Sequence, residues 1–362
     1  MNRLIKKIDP VLLALIAGIF IIALLALFSA SHKPDGSVPK NYCIQQIIWM
    51  IVALIVSALF VWTGYERWLD YSYLIFGFNI LLLVLVLFIG DVRLGARRWL
   101  SLGLFSLQPS ELCKISFMLV LARYAGKKDR VTNLRGVITA LFICLLPMLL
   151  IMKQPDLGTA LVFLPIFFIG LFIAGARKRH LLAIMVGGLG VLPILWSVLK
   201  PYQKQRLLVF MNPNIDPLGA GYTIIQSKIA IGSGGFFGKG WLAGTQNHLN
   251  FLPERHTDFI FSVIGEEWGF FGAIILLCVL FFILRRLLLI TKETSDVRGR
   301  VLVAGAVTLI WFQVLVNISM TIGLMPVVGL PLPFISYGGS NLMTTMVLVA
   351  LAISVSLKRK IF

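Results

Sequence analysis

The 362-residue sequence predicts an all-α integral membrane protein, a polytopic bundle of about ten transmembrane helices with one large extracytoplasmic loop, and three observations predict it. Apolar residues make up 59% of the chain and charged residues only 13%, against about 25% charged in soluble domains. Uninterrupted apolar runs of roughly 17 to 25 residues recur along the chain, the length a helix needs to cross about 30 Å of hydrocarbon. Basic residues gather at every second connection between these runs.

The runs lie at 11–28, 44–63, 72–90, 110–125, 134–152, 157–174, 180–199, 259–284, 301–322 and 341–357. The fourth is the weakest, because Glu111 and Lys114 interrupt it. The first follows basic residues and precedes Ser29-Ala30-Ser31, as a signal peptide would, but it is longer than a usual signal core and is expected to stay as a span. Short connections make one compact membrane domain of 1–362 the expectation.

The formal charge of +18 does not indicate nucleic acid. Arg3, Lys6 and Lys7 precede the first run, and Lys127-Lys128-Asp129-Arg130, Arg177-Lys178-Arg179, Arg285-Arg286 with Arg298 and Arg300, and Lys358-Arg359-Lys360 all fall on the same side. More than half of the 33 Lys and Arg residues lie there. That asymmetry predicts cytoplasmic termini in a multi-pass protein of the cytoplasmic (inner) membrane. Cys43, Cys113, Cys144 and Cys278 form no paired loop framework, and no Cys or His spacing suits a metal.

Residues 200–258 form the one connection long enough to act as an element, and alternation places it outside the cytoplasm. MNPNIDPLGAGY reads as turns, YTIIQSKIAIG as an amphipathic piece suited to the membrane interface, and GSGGFFGKG as flexible backbone. A phosphate-loop reading fails, since Gly240 follows Lys239 where Ser or Thr is required. GLMPVVGLPLPFISYGGSN at 323–341, with Ser336 and Ser340, is irregular backbone at membrane level and should line a cavity unless it is a packed re-entrant turn. RLGARRWLSLGLFSLQPSE at 93–111 reads as a similar loop, with Arg97, Arg98 and Trp99 at the interface.

An ionisable group in a span costs about 2.5–3.5 kcal/mol, so each is a functional candidate. Glu111 and Lys114 share one helical face and can pair, either as a structural ion pair or at the border of a polar cavity. Asp156 begins the sixth span on the outer side, where it can equally cap the helix. Glu266 lies about 12 Å deeper than Asp258 on a regular helix and Glu267 about 100° further round, and neither is assigned a chemical role. In FLPERHTDFIF, Asp258 sits where the long loop meets the eighth span, so its carboxylate can be held rigidly and still reach a substrate at the interface. It reads equally as a general base or, with Thr257, as a helix cap. His256 reads better as a hydrogen-bonding interface residue than as a catalyst.

IGSGGFFGKGWLAGTQNHLNFLPERHTDFIFSVIGEEWG, with DPLGAGY upstream, QPSELCK and KQPDLGTA earlier and GLPLPFISYGGSN downstream, closely resembles the SEDS family of shape, elongation, division and sporulation proteins over nearly the whole chain. The GKGWLAGTQ and PERHTDF segments and the short N-terminal tail resemble its elongation branch, RodA, more than its division branch, FtsW. The resemblance implies a peptidoglycan glycosyltransferase that polymerises lipid II on the outer face of the membrane and releases undecaprenyl diphosphate. It implies that Asp258 is the catalytic base acting on the acceptor sugar's 4-hydroxyl, and that Glu111, Lys114 and Asp156 match polar residues of the family. It also implies a class B penicillin-binding protein and the elongation machinery as partners beside membrane lipids, and a divalent cation, Mg or Mn, with no organic cofactor. Asn212 and Asn250 stand where many relatives have aspartate, which weakens a metal site at those positions and leaves the metal ligands unknown.

Chemistry agrees with that reading. A diphosphate leaving group calls for cations, which Lys200, Lys204, Arg206, Lys228, Lys239 and Arg255 of the loop could supply, and for one base at the acceptor. Two rivals stand beside it: a transporter of lipid-linked precursors and a non-catalytic scaffold for a transpeptidase. A transporter should distribute its charges about an alternating-access site and show paired broken helices. Here the unusual residues concentrate outside, and no convincing internal repeat is visible.

Overall fold

A computed structural model describes residues 9–32, 42–93, 96–101, 106–127, 129–199, 201–219, 221–249 and 251–358. Arg3, Lys6, Lys7, Lys128, Lys200, Asn250, Arg359 and Lys360, named above, lie outside the described residues. Each predicted run coincides with a helix: α1 (Pro10–Ser31), α2 (Tyr42–Thr63), α4 (Ser72–Ile89), α5 (Pro109–Ala125), α6 (Leu134–Lys153), α7 (Leu157–Ile173), α8 (Lys178–Val198), α12 (Ile260–Glu293), α13 (Val297–Thr321) and α14 (Gly339–Leu357). A short α3 (Tyr65–Asp70) links α2 to α4. Among the described residues seven of these helices are long and apolar enough to cross a membrane, namely α1, α2, α4, α6, α12, α13 and α14. The chain is thus a multi-pass helical membrane protein.

The bundle has a centre and a rim. Of their most apolar stretches, α13 and α14 bury 78%, while α1, α2, α4, α6 and α12 bury only 22–33%. Rim helices turn large apolar side chains such as Ile55, Leu74, Phe88 and Phe142 outward, which is stable only where hydrocarbon replaces water. The outer faces therefore mark the lipid boundary. Charged α5 is buried along nearly its whole length, against α4, α13 and α14. The weakest run in the sequence is a core helix, because its Glu111 and Lys114 satisfy each other inside protein.

Two parts of the fold depart from the sequence reading. The fold is not purely α, since the expected interface loop at 93–111 holds a three-stranded antiparallel sheet of β1 (Asp91–Arg93), β2 (Ala96–Ser101) and β3 (Ser106–Leu107). Val92 pairs with Arg97 and Leu100 with Leu107, giving backbone groups at the end of the bundle partners that no helix supplies there. The segment 200–258 contains α9 (Pro201–Met211), α10 (Tyr222–Gly234) and α11 (Thr245–His248). The stretch read as flexible begins inside α10, which docks on α12 and α13: Ser227 Oγ lies 2.7 Å from Ser262 Oγ and donates to Thr321 O at 2.6 Å.

α12 is broken at Gly269 (φ 65°), and residues 235–240 are inserted into its hydrogen-bond ladder. In an unbroken helix Phe270 N would donate to Glu266 O and Phe271 N to Glu267 O. Instead those two amides donate to Gly235 O and Phe236 O at 2.9 and 3.0 Å, while the freed Glu266 and Glu267 carbonyls accept from Lys239 N and Gly240 N at 3.0 Å each. Two lost bonds become four. The approach needs glycine: a Cβ on Gly238 would meet the Glu267 carbonyl at 2.1 Å, and one on Gly269 would meet Gly238 N at 2.3 Å. α1 lies antiparallel to α12, with Asp9 capping α1 and pairing with Arg286 at 3.3 Å, and with Ser29 donating to Glu267 at the other end.

Candidate active site

Asp258 lies in the turn that precedes α12, and what fixes it is its backbone. Three successive carbonyls are taken by three donors from the end of α13 and the segment before α14. His256 O accepts from Tyr337 N at 2.9 Å, Thr257 O from Ser336 Oγ at 2.6 Å, and Asp258 O from Asn317 Nδ2 at 2.9 Å. Asn317 also donates to Leu330 O at 2.8 Å, and Ser336 Oγ accepts from Leu332 N at 2.8 Å. The turn is locked between two neighbouring segments.

The carboxylate is treated differently. No side chain caps α12, and Thr257 Oγ1 turns back to Glu254 O at 3.2 Å. Among the described residues nothing hydrogen-bonds the Asp258 carboxylate, so the capping alternative is not realised. Gly329, at φ 71°, comes so close that a Cβ there would stand 3.3 Å from Oδ2, and that conformation favours glycine. Burial pushes the Asp258 carboxyl up to about 7, with the negative charges of Glu254 and Asp156 adding to the rise and Arg206 and Arg98 opposing it. A group so placed changes protonation near neutral pH, as a general base should.

Around this centre the expected residues divide. Asp156 is buried and caps α7, accepting from Thr159 N at 3.1 Å and Thr159 Oγ1 at 3.0 Å, and its Oδ2 stands 3.6 Å from Arg98. It is a cap and a charged neighbour of Asp258 at once. Arg98 also holds Gln154 O at 3.2 Å and Pro155 O, which ties β2 to the start of α7. Arg206 donates to Val327 O at 3.2 Å, and exposed Lys228 lies beside Gly323. Both cations therefore flank the segment that carries Gly329 onto Asp258.

Other expected residues are bonded within the fold. Lys239 Nζ is 2.7 Å from Glu266 Oε1, which also accepts from Thr245 Oγ1 at 3.0 Å and Gln246 N at 3.1 Å. Arg255 holds Ala30 O at 2.8 Å and Asn247 O at 2.7 Å. His256 stacks on Tyr42, with ring centroids 4.3 Å apart, and its Nε2 is 4.0 Å from Glu254 Oε2. Ser336 spends its hydroxyl on the turn, and Ser340 Oγ accepts from Gln108 N at 3.4 Å. Glu111 and Lys114 form a buried pair at 2.6 Å, and among the described residues no hydrogen bond or ion pair joins them to Asp258.

Sequence reasoning passed over Asn317 and Gln313, two buried amides four residues apart on α13. The cost argument applied to charged groups in spans would have found them had it been extended to amides. Gln313, with Ser110, Asn341 and Thr344, has side-chain polar atoms that are buried without a protein partner, as has Glu111 Oε2, so the helices around the ion pair carry polar groups that water would satisfy. Among the described residues no three His, Cys, Asp or Glu side chains converge as ligands, and Asp156 is committed to its cap and to Arg98.

The comparisons with known proteins agree over the full length. A family profile covering FtsW, RodA and SpoVE, described as cell cycle protein, matches residues 9–361. Peptidoglycan glycosyltransferase MrdB of Escherichia coli (strain K12) is 42% identical over 355 residues, 98% of this chain and 94% of that protein. Peptidoglycan glycosyltransferase RodA of Treponema pallidum (strain Nichols) is 35% identical, covering 99% of both chains. A chain in a solved peptidoglycan synthase complex superposes with a TM-score of 0.84 at 34% identity, covering 98% of this chain and 99% of that one. The crystal structure of the Thermus thermophilus rod shape determining protein RodA gives 0.73 at 32% identity, covering 97% of both chains. The chain belongs to the FtsW, RodA and SpoVE family of cell cycle proteins.

Proposed function

We propose that this protein is a peptidoglycan glycosyltransferase that polymerises lipid II at the outer face of the cytoplasmic membrane during cell elongation, with Asp258 as general base. The carrying observation is the Asp258 carboxylate, raised to about 7 and free of hydrogen bonds among the described residues, on a backbone held by three donors. The ionised carboxylate takes the proton of the acceptor's 4-hydroxyl as that oxygen forms a bond to the donor sugar's anomeric carbon. The bond from that carbon to the diphosphate breaks, and its electron pair leaves with undecaprenyl diphosphate. The leaving group needs no strong acid, which suits one base rather than two carboxylates. Arg206 and Lys228 are the cations placed to meet the diphosphate, since Lys239 and Arg255 are engaged elsewhere. Mg or Mn would accompany the substrate's diphosphate rather than occupy a ligand set of the protein.

In this reading all ten long helices span the membrane as one domain of 1–362, both termini are cytoplasmic, and 200–258 is extracytoplasmic between the seventh and eighth spans. The match to a synthase complex supports a protein partner, which the family resemblance makes a class B penicillin-binding protein. The transporter reading loses support at the break in α12, because four backbone groups of the two half-helix ends bond to residues 235–240 instead of facing a cargo. The test incubates purified protein, alone and with its transpeptidase, with labelled lipid II. Glycan polymer from wild type and none from an equally folded Asp258→Asn supports the reading, and equal polymer from both removes Asp258 as the base.

A further inference from the structure

A second concave site lies at the opposite end of the bundle from Asp258. α5 has Glu111 at its Asp258 end and Tyr124 near the other, so residues 129–133 and the start of α6 form the far face. There a shallow, open depression of about 840 Å³ is lined by Tyr124, Asp129, Arg130, Asn133, Arg135 and Thr139, among others, most of them exposed. Its wall is fixed. Tyr124 Oη donates to Gly136 O at 3.1 Å, the Arg130 guanidinium lies over the Tyr124 ring at 5.1 Å, and a Cβ on Gly136 would strike Arg130 O at 1.7 Å. Two arginines and one aspartate thus share a depression that nothing in the proposed reaction uses.

The cavity opens on the lipid boundary. Leu134, which also lines it, begins an exposed apolar row that continues through Ile138, Phe142, Leu146 and Leu149. Spacings of four, four, four and three keep these side chains within about 120° of one another on α6, and Arg135 and Thr139 extend the same arc at the cavity end. A molecule with its chains along this row has its polar head among the arginines. Charge complementarity specifies the head further. Two guanidiniums can bind a phosphate in a forked, charge-assisted way, while Asp129 repels a purely anionic head and attracts an amine.

We propose that this cavity is a phospholipid site, with the headgroup phosphate held by Arg130 and Arg135, a headgroup amine held by Asp129, and the acyl chains packed along Leu134, Ile138 and Phe142. The membrane-spanning orientation proposed above makes it a site in the cytoplasmic leaflet, and basic cavities at that level suit lipid headgroups. The site takes phosphatidylethanolamine in preference to phosphatidylglycerol.

The full chain in detergent would be titrated with phosphatidylethanolamine, phosphatidylglycerol, phosphatidylcholine and inorganic phosphate, reading retained lipid by native mass spectrometry. The proposal expects one phosphatidylethanolamine retained by wild type, at least fivefold weaker retention in Arg130→Gln/Arg135→Gln, and loss in Thr139→Trp, which plugs the cavity and leaves both arginines. Asp129→Asn should remove the preference over phosphatidylglycerol. Glycan polymerisation by each variant serves as the check of folding. Retention unchanged in a folded double variant and in Thr139→Trp overturns the site. Inorganic phosphate displacing the lipid at equal concentration overturns its assignment to lipid in favour of a free anion, and preference for phosphatidylglycerol in wild type overturns the role of Asp129.

Discussion

Two acidic regions meet α12, and they are built on opposite plans. At Glu266 and Glu267 the carboxylates are buried and bonded: Glu266 Oε1 accepts from Lys239, Thr245 and Gln246, and Glu267 accepts from Ser29 and Leu242. A few residues earlier, Asp258 has its backbone clamped and its carboxylate without a hydrogen bond among the described residues. A carboxylate oxygen that accepts from several donors ties together the segments that carry them, as Glu266 Oε1 ties residues 239–246 to α12. One kept from donors and partly desolvated stays near neutrality, ready to exchange a proton. The rigidity at Asp258 comes instead from its backbone, held by Tyr337, Ser336 and Asn317.

The difference yields graded predictions. Asp258→Asn removes the proposed base and should lower polymer formation about 100-fold or more in a lipid II gel assay, with unchanged expression. The same substitution sharpens the contrast through stability. Because the folded pKa of Asp258 lies above its unfolded value, its ionisation weakens the fold as pH rises from about 4 through 7. Asp258→Asn should therefore melt about 2 °C or more above wild type at pH 8, and the gain should vanish towards pH 4. Glu266→Gln should do the reverse, lowering stability by about 1–3 kcal/mol through the stranded Lys239 while the folded fraction keeps most of its turnover. Thermal unfolding beside initial rates separates these cases.

Asn317→Leu releases the Asp258 carbonyl and Leu330 together. Turnover should fall about tenfold with little change in the apparent affinity for lipid II, since a misplaced base costs the chemical step more than binding. An equal loss in both would reduce Asn317 to general support. The smallest shift in pH dependence belongs to Arg206, whose loss should also lower turnover if it meets the diphosphate as proposed. Arg206 lowers the Asp258 pKa across solvent, so Arg206→Gln should move the acid limb of the rate profile upward by about 0.5 pH or less.

Much of this was legible in the sequence, in proportion to how local the cause is. Helix lengths follow from apolar runs: all ten runs are helices, and among the described residues seven of them are long and apolar enough to cross a membrane, where backbone groups have no other partner. Glu111 and Lys114 declared themselves by spacing alone. Asp258 declared its position but not its state, because cap and base differ only in whether the carboxylate finds an amide. The insertion of 235–240 into α12 was out of reach, since it pairs residues about thirty positions apart and shows in sequence only as glycines. For the same reason Lys239 and Arg255 read as free cations, their partners being long-range. The small sheet at 91–107 was hidden by two arginines and a tryptophan that suit an interface loop equally well.

The central claim is that Asp258 works as a base because its surroundings raise its pKa to about 7. The most direct measurement is the initial rate of glycan polymer formation at saturating lipid II between pH 5 and 9, on wild-type protein with its transpeptidase present. The account predicts a rate that rises tenfold per pH unit on the acid side, bends near pH 7 and is level above it. A profile flat from pH 5 upward would mean a carboxylate already ionised and ordinary, and would contradict it.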